Sequence, residues 1–562
     1  MRRSALLSLA LVVVIALALR LVPYIASPYP YNVDGYPLAR GAERALEEGH
    51  WTVENSGSGI EAYNAKMPGF SLLLAHLAAL TGIPPLRAVQ LLTPLLGLGA
   101  VLLGFALARR LTGSMIAGLG CALFLAMHGF FVYLTAAAMK EALGLPLLIL
   151  LFLLYKQRSE PRCRMLSAII LLLLPLVHHL TALIAFLYVG MTTAAHLIQR
   201  WRSGELRAHI IVEEACLGPA LGIFALAYYH SVSMEFYTGV SNMHDLALLS
   251  AITFLAMVLC VILSLPALSK PWFLVDVSPG RISSALLFDE KSLAVLICFG
   301  VLALNSRILV FQGTILTTTA LLIGVLPLVP LALLAIAGYN LIRYSAMQER
   351  GAVAAMALAP IVLLVFSIAR GLDPFSFALA YRAVDYLDPF LALGAGVGLA
   401  FLMALAGRRW AARKAWRFSM RAVTCLAFVL LLAASASLAY SGDRLYGVRN
   451  DTDPHEFTAG VWASEHGLEP ISTNSRLYEI YAPYFELSCD STLPYRLREG
   501  MEASGHALVL SDEWTSLGAQ GFFSSRIVVP EQRFNEALDG GHKVYSAGHE
   551  GAGIHIVMGD EG

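Results

Sequence analysis

Asn32-Val33-Asp34-Gly35-Tyr36-Pro37, succeeded by His50-Trp51 and then by Lys66-Met67-Pro68-Gly69, is the stretch of this chain least like its surroundings. It lies between an apolar run from Leu6 to Ala18 and a second one over residues 67–82, and it is long, polar and aromatic where most of the later chain is apolar. Leu38, Ala42 and Leu46 recur every four residues, with Arg40, Glu43, Arg44, Glu47 and Glu48 around them. That spacing predicts an amphipathic helix from Tyr36 to Trp51 that lies on a membrane surface rather than crossing it. Glu54-Asn55-Ser56-Gly57-Ser58-Gly59 then reads as a break.

The rest of the chain sets the class. Of 562 residues, 57% are hydrophobic and only 14% charged, with a mean hydropathy of +0.68. Soluble domains carry about 25% charged residues. Many apolar runs reach the roughly 20 residues that a bilayer span needs. The formal net charge is zero, so bulk charge does not point to nucleic acid. The seven cysteines are scattered without a CxxC pair, and read as small buried hydrophobes rather than a zinc site or a disulfide framework.

The expected fold is an all-α polytopic membrane domain over residues 1–440, with a small C-terminal α/β domain over 441–562. Arg2 and Arg3 precede a first span over about 4–22, read as uncleaved, which puts the loop 23–87 outside. Residues 67–82 barely reach across a bilayer. If they do not fully cross, further spans fall at about 88–108, 115–136, 142–157, 165–178, 181–198, 210–230, 246–267, 291–305, 322–342, 352–370, 386–406 and 421–440. The basic clusters then share the cytoplasmic side, which favours about thirteen transmembrane helices and an external C-terminus. In the tail, Ala507–Leu510, Arg526–Val529 and Ile554–Val557 read as strands, and Phe457–His466 and Glu531–Leu538 as helices.

Few ionisable residues fall at the external membrane boundary, where such groups are costly and therefore functional candidates. Asp34 can accept a proton or bind a divalent cation, or it can simply cap the helix that comes after it. Lys66 can hold a lipid phosphate or reach up to ordinary headgroups. Arg382 can hold two phosphate oxygens or pair with Asp385 three residues on. Arg20, near the outer end of the first span, can pair with Asp34 or with a phosphate. Glu141 is a second acid for the site or one half of an interfacial pair with Lys140. His178 and His179 share an external turn; adjacent residues point apart on a helix, so one at most is expected to face the site.

These residues resemble the GT-C superfamily of membrane glycosyltransferases, which includes oligosaccharyltransferase catalytic subunits, protein mannosyltransferases and the aminoarabinose transferase of lipid A. The resemblance runs through Leu19-Arg20-Leu21, Asp34-Gly35-Tyr36, Ala42 to Trp51, Lys66 to Leu73 and Arg109 to Gly113, with Lys140-Glu141-Ala142-Leu143 and Tyr381-Arg382 as looser matches. Local likeness is strong over about the first 115 residues. It implies a catalytic carboxylate at Asp34, basic residues Lys66 and Arg382 on a lipid-linked phosphate, and transfer from a polyprenyl-phosphate-type sugar, usually with inversion, to an acceptor on the extracytoplasmic face. A divalent metal, Mg or Mn, is the possible cofactor, with Asp34 as its ligand. Implied partners are the lipid-linked sugar donor, membrane lipids and an unidentified acceptor, with no nucleic acid. The sequence departs from the pattern where Gly35 replaces the usual second acid, and no Trp-Trp-Asp-Tyr-Gly motif occurs in the tail. Both departures argue against oligosaccharide transfer to asparagine. The competing readings are a polytopic transporter or lipid flippase, and a non-catalytic glycolipid-binding relative.

Overall fold

The computed structural model describes residues 3–53, 59–233, 242–265, 292–293, 295–297, 299–300, 326–344, 350–371, 374–409, 414–441, 449–501, 507–521, 525–548 and 552–559. It divides into two compact units. One comprises Met1–Arg20, Leu95–Thr135 and Leu143–Ala439; the other comprises Leu21–Pro94, Ala136–Ala142 and Tyr440–Gly562.

The first unit is helical. Among the described residues of the chain, eight helices are long and apolar enough to cross a bilayer, from Arg3–Ala26 to Ser419–Ala436. Of the thirteen spans expected, 291–305 and 322–342 fall partly outside the described residues. Helices approach closely where small residues remove the side-chain barrier. A Cβ on Gly338, in the helix Leu328–Tyr344, would lie only 1.8 Å from Gly394 O of the helix Asp388–Arg409.

The span expected as continuous over 115–136 is instead two helices, Met115–Met127 and Gly129–Ala136, bent by 65°. The cause is local. Gly129 N–H donates to Ser435 Oγ at 3.0 Å, and a Cβ on Gly129 would sit 2.2 Å from Ser435 O. The break frees carbonyls at the end of the first half, and buried carbonyls need donors. Arg20 supplies them.

The second unit holds the loop quoted at the outset. Its amphipathic stretch forms the helix Gly35–Glu48, three residues shorter at its C-terminal end than expected and closed by Gly49 at φ 72°. Tyr36, Leu38, Ala39 and Ala42 are buried, whereas Leu46 is exposed. Two short helices come next, Gly59–Ala65 and Gly69–Thr81. The latter has 13 residues, about 20 Å at 1.5 Å per residue, against a hydrocarbon core of about 30 Å.

The C-terminal segment forms a mixed sheet of β1 (Ile471–Ser472), β2 (Cys489–Asp490), β3 (Ala507–Ser511), β6 (Gly541–Ala547) and β7 (Ile554–Gly559), in the order β2-β1-β3-β7-β6. β1 pairs parallel with β2 and β3, and β7 antiparallel with β3 and β6. A separate hairpin joins β4 (Ala519–Gly521) to β5 (Ser525–Ile527). Strand alternation sorts the core. Ala507 and Val509 face one cluster with Ile471, Ile480 and Tyr481, into which Val33 and Tyr36 of the loop also pack. Leu508 and Leu510 face the opposite cluster with Leu493, Trp514 and Phe534. β3 is therefore buried on both faces, as its unbroken apolar run requires.

Candidate active site

The loop around Asp34 is fixed by its backbone. Asn32 adopts φ +85°, a left-handed conformation that asparagine tolerates better than most residues. Its N–H donates to Asn450 O at 2.8 Å, and its side-chain Oδ1 accepts from Asp34 N at 3.0 Å. Gly35 N–H donates to Asn32 O at 3.2 Å. The next position has no room for a side chain: a Cβ on Gly35 would meet Pro30 Cβ at 2.6 Å and Ala138 Cβ at 2.8 Å. The acid missing after Asp34 is thus sterically excluded here.

Asp34 occupies the N-cap position of Gly35–Glu48, but its side chain makes no capping hydrogen bond. Its own φ of −59° and ψ of −20° are helical, whereas a capping residue ordinarily adopts extended torsions. The carboxylate is half-buried, and the first-turn N–H groups do not hold it.

The turn 136–142 packs on this loop. Ala138 N–H donates to Tyr31 O at 2.7 Å. Lys140 and Glu141 come next, 6% and 4% exposed. The Lys140 ammonium lies 4.5 Å from the ring centre of Tyr63, over its negative face. Tyr63 is in the helix Gly59–Ala65, which ends just before Lys66. Trp51 Nε1 donates to Ala65 O at 3.0 Å and pins that end. Asp34, Lys66 and Glu141 therefore belong to one compact unit, with Lys140 between two of the segments that carry them. Lys140 entered the sequence reading only as a partner for Glu141; its burial next to the Asp34 loop was not legible from spacing.

On the helix Gly35–Glu48, Arg40 Nη2 and Arg44 Nη2 lie 2.7 and 2.8 Å from Glu486 Oε1. Tyr36 stacks on Phe457 at 5.9 Å, and Tyr29 on the same ring at 4.3 Å. These contacts tie the loop to the C-terminal sheet within the unit.

The remaining candidates lie in the first unit. Arg20 is wholly buried. Its Nε donates to Thr135 Oγ1 at 2.9 Å, Nη1 to Ala16 O at 3.0 Å and Ala126 O at 3.4 Å, and Nη2 to Leu125 O at 3.0 Å. These bonds satisfy the helix break and occupy the enclosed guanidinium, which argues against the phosphate role expected for Arg20. His178 caps the helix His179–Arg202: its Nδ1 accepts from Thr181 N and lies 3.0 Å from Tyr386 OH. His179 is also buried, its ring 5.0 Å from that of His178. Arg382 is half-buried in the helix Pro374–Asp385, and its Nε donates to Tyr381 OH at 3.2 Å. Nearby in sequence, Asp388 Oδ1 lies 3.3 Å from His128 Nδ1 in a buried pair absent from the sequence reading.

No cluster of three or more His, Cys, Asp or Glu side chains suited to a metal occurs among the described residues.

No protein-family model matches the sequence, and no curated protein matches it. Among solved structures, the chain is similar to the arabinofuranosyltransferase AftD from Mycobacteria, at 15% identity and a TM-score of 0.48, over 100% of this chain and 40% of that one. This chain thus spans well under half the length of AftD. It is also similar to ArnT from Cupriavidus metallidurans bound to undecaprenyl phosphate, at 12% identity and a TM-score of 0.35, over 98% of this chain and 97% of that one. The apo state of ArnT gives 13%, 0.38 and the same coverage.

Proposed function

We propose that this chain is a polytopic membrane glycosyltransferase of the GT-C kind. It moves a sugar from a polyprenyl-phosphate-type lipid to an acceptor on the extracytoplasmic face, with inversion. The observation that carries this reading is Asp34: a half-buried carboxylate on a hydrogen-bonded turn, at an N-cap position it does not use for capping. Rigid placement of a carboxylate that does not serve as a cap is what general-base chemistry requires.

In the proposed reaction an acceptor hydroxyl attacks the anomeric carbon. The bond from that carbon to the phosphate oxygen breaks, and the hydroxyl proton passes to Asp34. Charge grows on the departing lipid phosphate, and the Lys66 ammonium stabilises it. Arg382 keeps the phosphate-binding role that the sequence implies. Glu141 and Lys140 are enclosed, so they position the Asp34 turn rather than touch substrate.

A divalent metal fits poorly. Among the described residues neither Asp34 nor Glu141 belongs to a group of three or more His, Cys, Asp or Glu side chains that could hold an ion.

The test is transfer in membranes or purified protein with a labelled polyprenyl-phosphate sugar. Asp34→Asn is expected to lower transfer by at least about 100-fold, the scale of general-base catalysis, at unchanged protein level. Full activity in that variant would sink the role of Asp34. Movement of the lipid without transfer would favour the transporter reading, and binding alone the non-catalytic one.

A further inference from the structure

Arg382 sits on a turn that is held at two points by buried polar contacts. The helix Pro374–Asp385 ends just after it, and Tyr386-Leu387 leads straight into the helix Asp388–Arg409. Tyr386 N–H donates to Arg382 O at 3.3 Å, and Leu387 N–H to Val384 O at 3.0 Å. Arg382 and Tyr386 thus share one helical turn, and whatever fixes Tyr386 also fixes the backbone that bears the guanidinium.

The first clamp acts on the Tyr386 side chain. Its hydroxyl lies 2.5 Å from Thr181 Oγ1 and 3.0 Å from His178 Nδ1, and those two atoms lie 2.9 Å apart. All three residues are buried, and their polar atoms form a closed triangle. Gly144 makes room for it: a Cβ there would sit 2.6 Å from Thr181 Oγ1. His178 is the residue between the helices Pro161–Val177 and His179–Arg202. The Tyr386 hydroxyl is therefore tied to a helix junction.

The second clamp acts two residues further on. Asp388 Oδ1 lies 3.3 Å from His128 Nδ1, and both side chains are buried. His128 is the residue between the two halves of the bent span, and its ring stacks on Phe124 at 4.8 Å. Among the described residues, Asp388 Oδ2 makes no hydrogen bond. A carboxylate enclosed in this way in a membrane domain is costly, and its pairing adds little net stability. What it supplies is one fixed geometry for the turn.

We propose that Tyr386 and Asp388 are positioning residues for Arg382. Held by His178, Thr181 and His128, they fix the turn so that the guanidinium meets a lipid-linked phosphate in one orientation. A planar guanidinium binds two phosphate oxygens at once only when its plane is set. Tyr386 and Asp388 act through Arg382 and do not touch substrate. This inference rests on the phosphate role proposed above for Arg382.

The test is binding of polyprenyl phosphate to the full chain in detergent, titrated by native mass spectrometry, with KM and kcat for transfer as a second readout. Arg382→Ala is expected to weaken binding by about ten-fold. Tyr386→Phe removes only a hydroxyl and is expected to weaken it by about five-fold, raising KM while kcat stays near the parental value. Asp388→Asn keeps the side-chain shape and is expected to act in the same direction; it also serves should Tyr386→Phe fail to fold. In the Arg382→Ala background, Tyr386→Phe is expected to add nothing, because its effect passes through the guanidinium. Tyr155→Phe is the control: it removes another buried hydroxyl, 2.7 Å from Thr193 Oγ1, and should bind like the parent protein.

Three results would overturn the proposal while leaving the role of Arg382 intact. They are parental binding in Tyr386→Phe or Asp388→Asn, additive losses in the double variant, or an equal loss in Tyr155→Phe. Parental binding in Arg382→Ala, or no binding by the parent protein, would instead remove the phosphate role of Arg382, and this inference with it.

Discussion

The Arg20 guanidinium donates from Nη2 to Leu125 O at 3.0 Å and so closes the end of a helix that stops two residues later, at Met127. One side chain of the first span thereby stabilises a 65° bend in another. Arg20→Ala leaves these carbonyls without donors in a closed space. The expected cost is about 2–4 kcal/mol, from unpaired acceptors and a cavity. Arg20→Lys is expected to recover little, because an ammonium is a point donor where the guanidinium reaches several carbonyls at once. Thermal unfolding in detergent reads both variants, and parental stability in Arg20→Lys would refute the multidentate role.

A second acid placed directly after Asp34 should harm the turn. Gly35→Asp places a Cβ within 2.6 Å of Pro30 and 2.8 Å of Ala138. Overpacking of this kind costs about 1–3 kcal/mol and displaces Asp34. Lower stability and lower transfer are expected together, and Gly35→Ala should share most of the loss. A gain of activity in Gly35→Asp would mean that the turn can yield.

Lys66→Ala is expected to raise KM for the lipid-linked donor by about ten-fold or more, the scale of a charge-assisted hydrogen bond. Lys66→Arg should retain part of the affinity. An unchanged KM would assign Lys66 to ordinary headgroups. Arg382→Ala is measured in the same assay.

Transfer should persist after dialysis against EDTA, since the donor set around Asp34 does not suit a resident metal. Loss of activity, restored by Mg or Mn, would overturn this.

Two glutamates on the Arg40 network should respond oppositely to pH. The Arg44 hydrogen bond, aided by Arg40 against a smaller burial effect, holds the Glu486 carboxyl below its ordinary range. A depressed folded-state pKa contributes stability above the unfolded value and loses it as pH falls through the folded one. Glu486→Gln should therefore destabilise at neutral pH, by no more than about 1 kcal/mol for so exposed a pair, with the difference vanishing in acid. Burial pushes the Glu43 carboxyl up, against the pull of Arg40. Its charged form is the strained one, so Glu43→Gln should be neutral or stabilising at neutral pH. Unfolding midpoints of both variants between about pH 3 and 7 decide the matter.

The amphipathic helix, the short helix after Lys66 and the strands at Ala507 and Ile554 were legible because each rests on local periodicity. The strands of two residues, β1 and β2, were not: they are too short to show alternation, and they exist through pairing with β3 and each other. The Gly541–Ala547 strand was missed because its residues are mostly exposed and polar. Sequence singled out Asp34, but left cap and catalyst open, since both need an acid before a helix. Backbone torsions and the absent capping bond speak against the cap, and the catalytic role is the proposal.

By itself, the sequence determined a chain of apolar helices with a charged α/β tail and one acidic, aromatic loop, because hydropathy and period are properties of consecutive residues. Only the tertiary structure decided what the isolated charges do. Arg20 serves a helix break more than a hundred residues away, Gly35 excludes a second acid through contacts with Pro30 and Ala138, and Lys140 settles over Tyr63. Each outcome depends on partners distant in the chain, brought together by packing that no local pattern encodes.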